Sequence, residues 1–302
     1  LTLFGYVGLA TPNFLFALVL MYFANVQFGL AIGGIMDPEY LDKKGERLDG
    51  RNLPKEWLSK YKDASYVYDK KGFDAVDTKK NKHLLGLFEM SHLQYEFDRK
   101  NDKGGEPSLS EMTAKAIDLL KNNKKGFFLM VEGGRIDHAH HNGNAFRALT
   151  DTIELSNAVR TATQKTNLDE TLIIVTADHS HTFVMSGYPI RGNNILGLTQ
   201  EVDGKGLLEE KPKGDKNGKP FTTLNYANGK GYRGGERPVL TQEEVTNPDY
   251  KQEAAVPLSD ETHGGEDVAI FATGVNAHLI RGSMEQNWIF YVMADALRLG
   301  KK

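Results

Sequence analysis

The chain has 302 residues, with 37 Lys and Arg against 40 Asp and Glu, and a formal net charge of −3 at pH 7. That balance disfavours nucleic-acid binding driven by bulk charge. The absence of Cys excludes disulfides and thiolate metal sites, and a content of 40% hydrophobic and 25% charged residues is that of a folded globular chain rather than a disordered or collagen-like one.

The first charged side chain is Asp37, so residues 1–36 form an uncharged apolar segment that is set apart from the α/β region 37–302. At the mean charge content, such a run arises about three times in 100,000 draws, which calls for its own explanation. Residues 14–35 read FLFALVLMYFANVQFGLAIGGI, long enough to span a bilayer, with Pro12 ahead and Asn25, Gln27 and Gly29 as interruptions. Four readings remain open at this stage: a membrane or export segment, a fragment edge, a mistranslated stretch, or a strand and helix buried in a core. A signal peptide fits less well, because no basic region precedes the apolar run.

Farther along, apolar runs bounded by turn residues predict buried strands at Gly126–Gly134 (GFFLMVEGG), Thr171–His179 (TLIIVTADH) and Asp267–Gly274 (DVAIFATG). Ser108-Leu109-Ser110-Glu111 is a capping box, and Leu109, Met112, Ala116 and Leu120 follow it at helical spacing. Phe146, Leu149, Ile153 and Val159 predict a second amphipathic helix, and Trp288, Val292, Met293 and Ala296 a third. The alternation implies an α/β fold with a doubly wound, mostly parallel sheet flanked by helices. Residues 190–250 are rich in Gly, Lys, Asp and Asn and read as an insertion, either a small β-rich subdomain or a loop.

Six of the nine His fall in three motifs that also carry carboxylates. They are Glu132-Gly-Gly-Arg-Ile-Asp137-His138-Ala-His140-His141, Thr176-Ala-Asp178-His179-Ser-His181, and Glu261-Thr-His263-Gly-Gly-Glu266-Asp267. Two follow a predicted strand and the third precedes one, and ligands of open α/β sheets bind at such strand ends. Imidazole with carboxylate is the donor set for zinc, and carboxylate without imidazole suits magnesium. Asp137 and His141, one helical turn apart, face the same side, and the clustering predicts more than one ion, as in two-metal phosphoryl transfer. His83, His92 and His278 stand alone and read as surface or core residues.

The segments EGGRIDHAHH, TADHSH and ETHGGEDVAIFATG resemble the metal-binding segments of alkaline phosphatases, particularly the animal-type branch, over about Asp37 to the C-terminus. The resemblance implies two zinc sites, the first held by Asp137, His141 and His263 and the second by Asp178 and His179. It implies a magnesium ligand at Glu132, a His near phosphate and magnesium at His138, and an outer His, His181, that orients a zinc ligand. It also implies a structural calcium held by Glu39, the carbonyl of Phe88, Glu89 and Glu106, where Glu106 replaces the family's usual Asp. Residues 190–250 correspond to the family's crown, and a homodimer with an extracytoplasmic location (cell surface, secreted or periplasmic) follows from the same resemblance.

The implied activity is hydrolysis of phosphate monoesters through a Ser nucleophile in an Asp-Ser-Ala context. That nucleophile, an Asp shared between the second zinc and magnesium, a further magnesium ligand and an Arg clamp lie in the family's N-terminal half and have no counterpart here. Two expectations follow: a phosphatase of which these residues are one part, or a zinc-binding, inactive truncated homologue with residues 14–35 as a candidate membrane contact. Another two-metal hydrolase of the superfamily, a phosphodiesterase or phosphonate hydrolase, fits the long first motif less well.

Overall fold

The computed structural model describes residues 49–209 and 211–299. The uncharged segment 1–36 and Glu39 lie outside the described residues. Among the described residues, no helix is long and apolar enough to cross a membrane. The chain divides into two compact units, one ending at Leu93 and joined by Gly104–Glu106, the other made of Gln94–Lys103 and the chain from Pro107 onward.

In the first unit, α1 (Leu53–Lys60) starts where the Asn52 side chain accepts the amide of Lys55, with a proline in the first turn that has no amide to leave unmet. Strands β1 (Ala64–Val67) and β2 (His83–Gly86) pair in parallel, Val67 opposite Gly86. The crossover carries α2 (Lys70–Ala75), capped by Asp69 through the amide of Gly72. Phe73 on α2 is buried and meets the ring of Phe88 edge-on at 6.0 Å. His83 is exposed against the rings of Trp57 and Tyr61, and His92 is also exposed, as expected of isolated histidines.

In the second unit, α3 (Leu109–Leu120) opens on the anticipated capping box, with Ser108 and Glu111 each bonded to the other's backbone amide. It packs against α5 (Ala145–Lys165). The apolar spacing on α5 does not mark its buried face: Ile153 is 61% exposed, and the buried positions are Ala145, Ala148, Asp151, Glu154 and Ala158. The two carboxylates are buried because they accept backbone amides, Asp151 from Glu96 at 3.2 Å and Glu154 from Ser110 at 2.9 Å.

Of the three predicted strands, two form and pair with each other. Strand β3 (Leu172–Thr176) runs antiparallel to β9 (Ile270–Gly274), Leu172 opposite Gly274. The segment Gly126–Gly134 does not form a strand: it has no ladder partner among the described residues, and Phe128 and Met130 are 60% and 72% exposed. An apolar run marks suitability for a sheet, whereas a strand also needs a neighbour to share its backbone hydrogen bonds.

The remaining strands are short: β4 (Ser180–His181), β5 (Phe183–Met185), β6 (Leu224–Gly229), β7 (Ala254–Pro257) and β8 (His263–Gly264). Pairing is antiparallel for β4–β8 and β5–β6 and parallel for β6–β7. The class is α/β as expected, but the described sheets are small and mixed rather than mostly parallel. Within 190–250, Leu198, Leu240, Val245 and Tyr250 form a small apolar cluster, Val245 coming from α6 (Gln242–Val245). Arg237 braces the same region by pairing with Asp215 and Glu253, each at 2.7 Å. The last helix, α7 (Trp288–Ala296), buries Val292 and leaves Trp288, Phe290 and Tyr291 exposed. His278 is exposed, as expected of the third isolated histidine.

Candidate metal centre

The first motif folds as α4 (Arg135–His141), which ends immediately after His141. Gly143, at φ +65°, takes the left-handed conformation that closes the helix, and its amide donates to the carbonyl of His140 at 2.7 Å. Asn144 then caps α5 through the amide of Arg147. The turn between the two helices is therefore determined residue by residue, and it sets where His141 points.

Asp137 and His141 share the face predicted by their spacing, with Asp137 Oδ1 3.3 Å from His141 Nε2. The second motif leaves β3 and enters β4, and the third forms β8. The β4–β8 register places His181 opposite His263, so two histidines 82 positions apart become neighbours through four residues of pairing.

Four imidazole Nε2 atoms face one oxygen. Asp137 Oδ1 lies 3.1 Å from His181, 3.3 Å from His141, 3.7 Å from His179 and 3.7 Å from His263. The rings of His179 and His263 stack at 3.6 Å between centroids. His263 Nε2 is 3.2 Å from His141 Nε2, and Asp178 Oδ2 is 3.6 Å from His179 Nε2. The oxygen at the focus, Asp137 Oδ1, is buried with no hydrogen-bond partner among the described residues.

This donor set fits zinc. Ligands at about 2.0–2.1 Å from a tetrahedral zinc stand roughly 3.3 Å from one another. The triangle of Asp137 Oδ1, His141 Nε2 and His263 Nε2 has edges of 3.3, 3.2 and 3.7 Å. A buried carboxylate oxygen facing imidazole nitrogens is costly unless a proton or cation lies between them, and a cation satisfies all of these donors together. Burial, followed by the charges of His179, His141 and His181, holds the His263 imidazole below its ordinary value. Burial also brings His140 down to about 4, and its Nδ1 lies 2.8 Å from the Tyr226 hydroxyl.

Three other sequence-predicted residues sit apart from this focus. Asp178 is exposed at the mouth, at 89% of its side chain, and approaches only His179 among the four imidazoles. His138 turns to Arg135, whose Nη1 lies 3.0 Å from His138 Nδ1, and the guanidinium of Arg135 packs over the Tyr95 ring at 3.8 Å. Glu132 is exposed shortly before α4 and is not among the donors gathered at Asp137. Of the residues expected to bind calcium, Glu89 is half-buried, Glu106 is 2% exposed, and their carboxylates come within 4.8 Å of each other in the first unit.

Glu261 is the participant that the sequence reading left without a role. It is 1% exposed and accepts hydrogen bonds from His181 Nδ1 at 2.7 Å, the amide of Thr182 at 2.6 Å and the hydroxyl of Thr182 at 2.8 Å. Its carbonyl lies 2.6 Å from His141 Nδ1. The available signal was its place two residues before His263, the spacing that puts side chains on one face of an extended strand. Tyr226, 86 positions from His140, had no such signal.

The chain is similar to known proteins over most of its length. The sequence model of the alkaline phosphatase family matches residues 30–299. The tissue-nonspecific alkaline phosphatase of Felis catus is 46% identical over 272 residues, covering 87% of this chain and 49% of that protein. The Homo sapiens tissue-nonspecific isozyme is 44% identical over 262 residues, covering 85% of this chain and 48% of that protein. A solved structure of a TAB5 alkaline phosphatase variant with magnesium bound shares the fold at a TM-score of 0.50 and 17% identity, covering 84% of this chain and 57% of that one. The chain thus spans about half the length of the curated relatives it matches. Its histidine and carboxylate motifs, their convergence on Asp137 and the family match over nearly the whole sequence agree, and the chain belongs to the alkaline phosphatase family.

Proposed function

We propose that these residues form the zinc-binding part of a phosphatase that hydrolyses small phosphate monoesters. The observation that carries this reading is the triangle of Asp137, His141 and His263, whose edges of 3.3, 3.2 and 3.7 Å match tetrahedral zinc. Those three side chains hold the first zinc, and Asp178 with His179 contributes to the second. Glu132 contributes a carboxylate to magnesium, and His138, oriented by Arg135, stands beside the phosphate and that ion. Glu89, Glu106 and the Phe88 carbonyl, together with Glu39, are assigned to a structural calcium. Homodimerisation through 190–250 and an extracytoplasmic location follow from the family resemblance.

Zinc, when bound, supplies Lewis-acid stabilisation of phosphoryl oxygens and lowers the pKa of water. The chain's own work is orientation. A carbonyl oxygen can only accept, so His141 Nδ1 carries the proton and the lone pair of Nε2 is directed at the centre. An Arg guanidinium can only donate, so His138 Nδ1 accepts and the opposite nitrogen of the neutral ring carries the proton.

The 302 residues contain no Asp-Ser-Ala triplet, so this polypeptide by itself binds zinc without turning over substrate. Titration of the metal-free chain against a chromophoric zinc chelator tests the reading. Tight binding that Asp137→Ala and His263→Ala each weaken is expected, and a parent chain that takes up no zinc overturns it. Hydrolysis of an aryl phosphate with zinc and magnesium added tests the absence of turnover, which steady product release would refute.

A further inference from the structure

Three segments meet at Glu261. Its amide donates to the carbonyl of His141 at 3.0 Å, while its own carbonyl takes the Nδ1 proton of His141 at 2.6 Å. One carboxylate oxygen accepts from both the amide and the hydroxyl of Thr182, and the other accepts from His181 Nδ1 at 2.7 Å. Behind it, Gly229 adopts φ +128°, and a Cβ there would stand 3.1 Å from the Cβ of Glu261. The backbone of 261 thus ties down the end of α4, and its side chain ties down β4.

We propose that Glu261 is the positioning residue of the metal centre: it sets the tautomer of His141 and the orientation of His181, and so aims their Nε2 atoms at the Asp137 focus. The inference rests on the zinc-site reading. Its physical basis is that an imidazole with one nitrogen committed to a buried acceptor has its ring plane and its other nitrogen determined together. Glu261 does this for two rings, one through its backbone and one through its side chain. His181 Nε2 lies 3.1 Å from Asp137 Oδ1 while its Nδ1 is held from behind at 2.7 Å by Glu261. His140 stacks on His181 at 4.7 Å, and the Tyr226 hydroxyl lies 2.8 Å from His140 Nδ1, which adds a second layer of support.

The test uses the full chain in three forms, Glu261→Gln, Glu261→Ala and Gly229→Ala, with two readouts. Glutamine keeps the shape but offers one accepting oxygen where two are used, so either His181 or Thr182 loses its acceptor. Loss of such an outer partner weakens metal binding by ~10–100-fold. The expected order of zinc affinity is parent, then Glu261→Gln, then Glu261→Ala. In Gly229→Ala the new methyl group presses on Glu261 and lowers affinity without touching any ligand; this variant also serves if Glu261→Ala does not fold.

The second readout is long-range ¹H–¹⁵N correlation of the histidine rings in the metal-free chain. The parent should show protonated Nδ1 for both His141 and His181, and Glu261→Gln should shift or broaden His181 while the fold is retained. A purely structural role would lower the melting temperature and leave both the ring signals and the zinc affinity of the folded fraction unchanged. Parent-like ring signals with zinc affinity within twofold in Glu261→Gln would overturn the proposal. If the parent binds no zinc, the zinc-site reading fails, while the ring spectra still decide whether Glu261 positions the histidines.

Discussion

Asp137→Ala separates a metal ligand from an ordinary buried residue, because its two effects have opposite signs. A four-ligand zinc site is worth ~10–16 kcal/mol, so one ligand accounts for about 2.5–4 kcal/mol, or roughly 100- to 1,000-fold in affinity. With zinc set at 100 times the parent's dissociation constant, the parent gains about 2.7 kcal/mol of stability, and a variant weakened 100-fold gains only about 0.4 kcal/mol. Without metal the comparison reverses. Asp137 Oδ1 is buried with no hydrogen-bond partner among the described residues, a condition that costs ~1–3 kcal/mol, so its removal should leave the metal-free protein as stable as the parent or more so.

The assay is thermal unfolding of parent and variant with chelator and again with zinc. At ~2–4 °C per kcal/mol for a chain of this size, the parent should rise by roughly 5–10 °C on adding zinc and the variant by under about 2 °C. A variant that loses stability equally in both conditions would show Asp137 to be a packing residue and would refute the reasoning.

Asp178→Ala should leave the first zinc equivalent bound, with a stability change within about 0.5 kcal/mol because the side chain is 89% exposed; dialysis followed by metal analysis counts the equivalents, and loss of the first would refute the assignment of Asp178 away from it. Asn144→Ala should cost ~1–2 kcal/mol in urea unfolding, since Asn144 caps α5 and also donates to the carbonyl of Pro248 at 2.8 Å. Burial pushes Asp151 up from 3.8 to about 6, against the amide of Glu96 and the nearby Arg135, which favour the charged form. The stability linked to its proton is complete below about pH 4 and lost as pH rises through 6, a penalty of up to ~3 kcal/mol at pH 8. Asp151→Asn should therefore raise stability at pH 8 and flatten the profile between pH 4 and 7, and a variant with the parent's slope would show that another group titrates there.

Local chemistry was legible in the sequence wherever one segment suffices to determine it. The capping box at Ser108, the pairing of Asp137 with His141 across one helical turn, and the strands β3 and β9 all depend on neighbours within a few residues. What depends on a distant partner was not legible. Nothing within Gly126–Gly134 reports whether another strand runs alongside, and nothing within β3 reports that its partner is antiparallel and nearly 100 positions away. The α5 face failed for a different reason. Periodicity scores carboxylates as solvent-seeking, but Asp151 and Glu154 are buried because the loop before α3 and the first turn of α3 supply amides that need acceptors.

The cluster around Asp137 combines both cases, which explains why its histidines and carboxylates stood out in the sequence and their support did not. Each motif advertises its donors through residue type, but the stacking of His179 on His263 at 3.6 Å requires the register of a two-residue strand pair. That register is in turn clamped by Glu261, whose carboxylate binds His181 on β4 and Thr182 just after it while its backbone binds His141. A carboxylate in a histidine motif therefore carries two separable meanings. Asp137, half-buried with one buried oxygen that has no hydrogen-bond partner among the described residues, has the character expected of a cation ligand, whereas Glu261, buried with its acceptors filled, has that of a residue that holds other groups in place. Sequence spacing treats the two alike, and hydrogen-bond satisfaction distinguishes them.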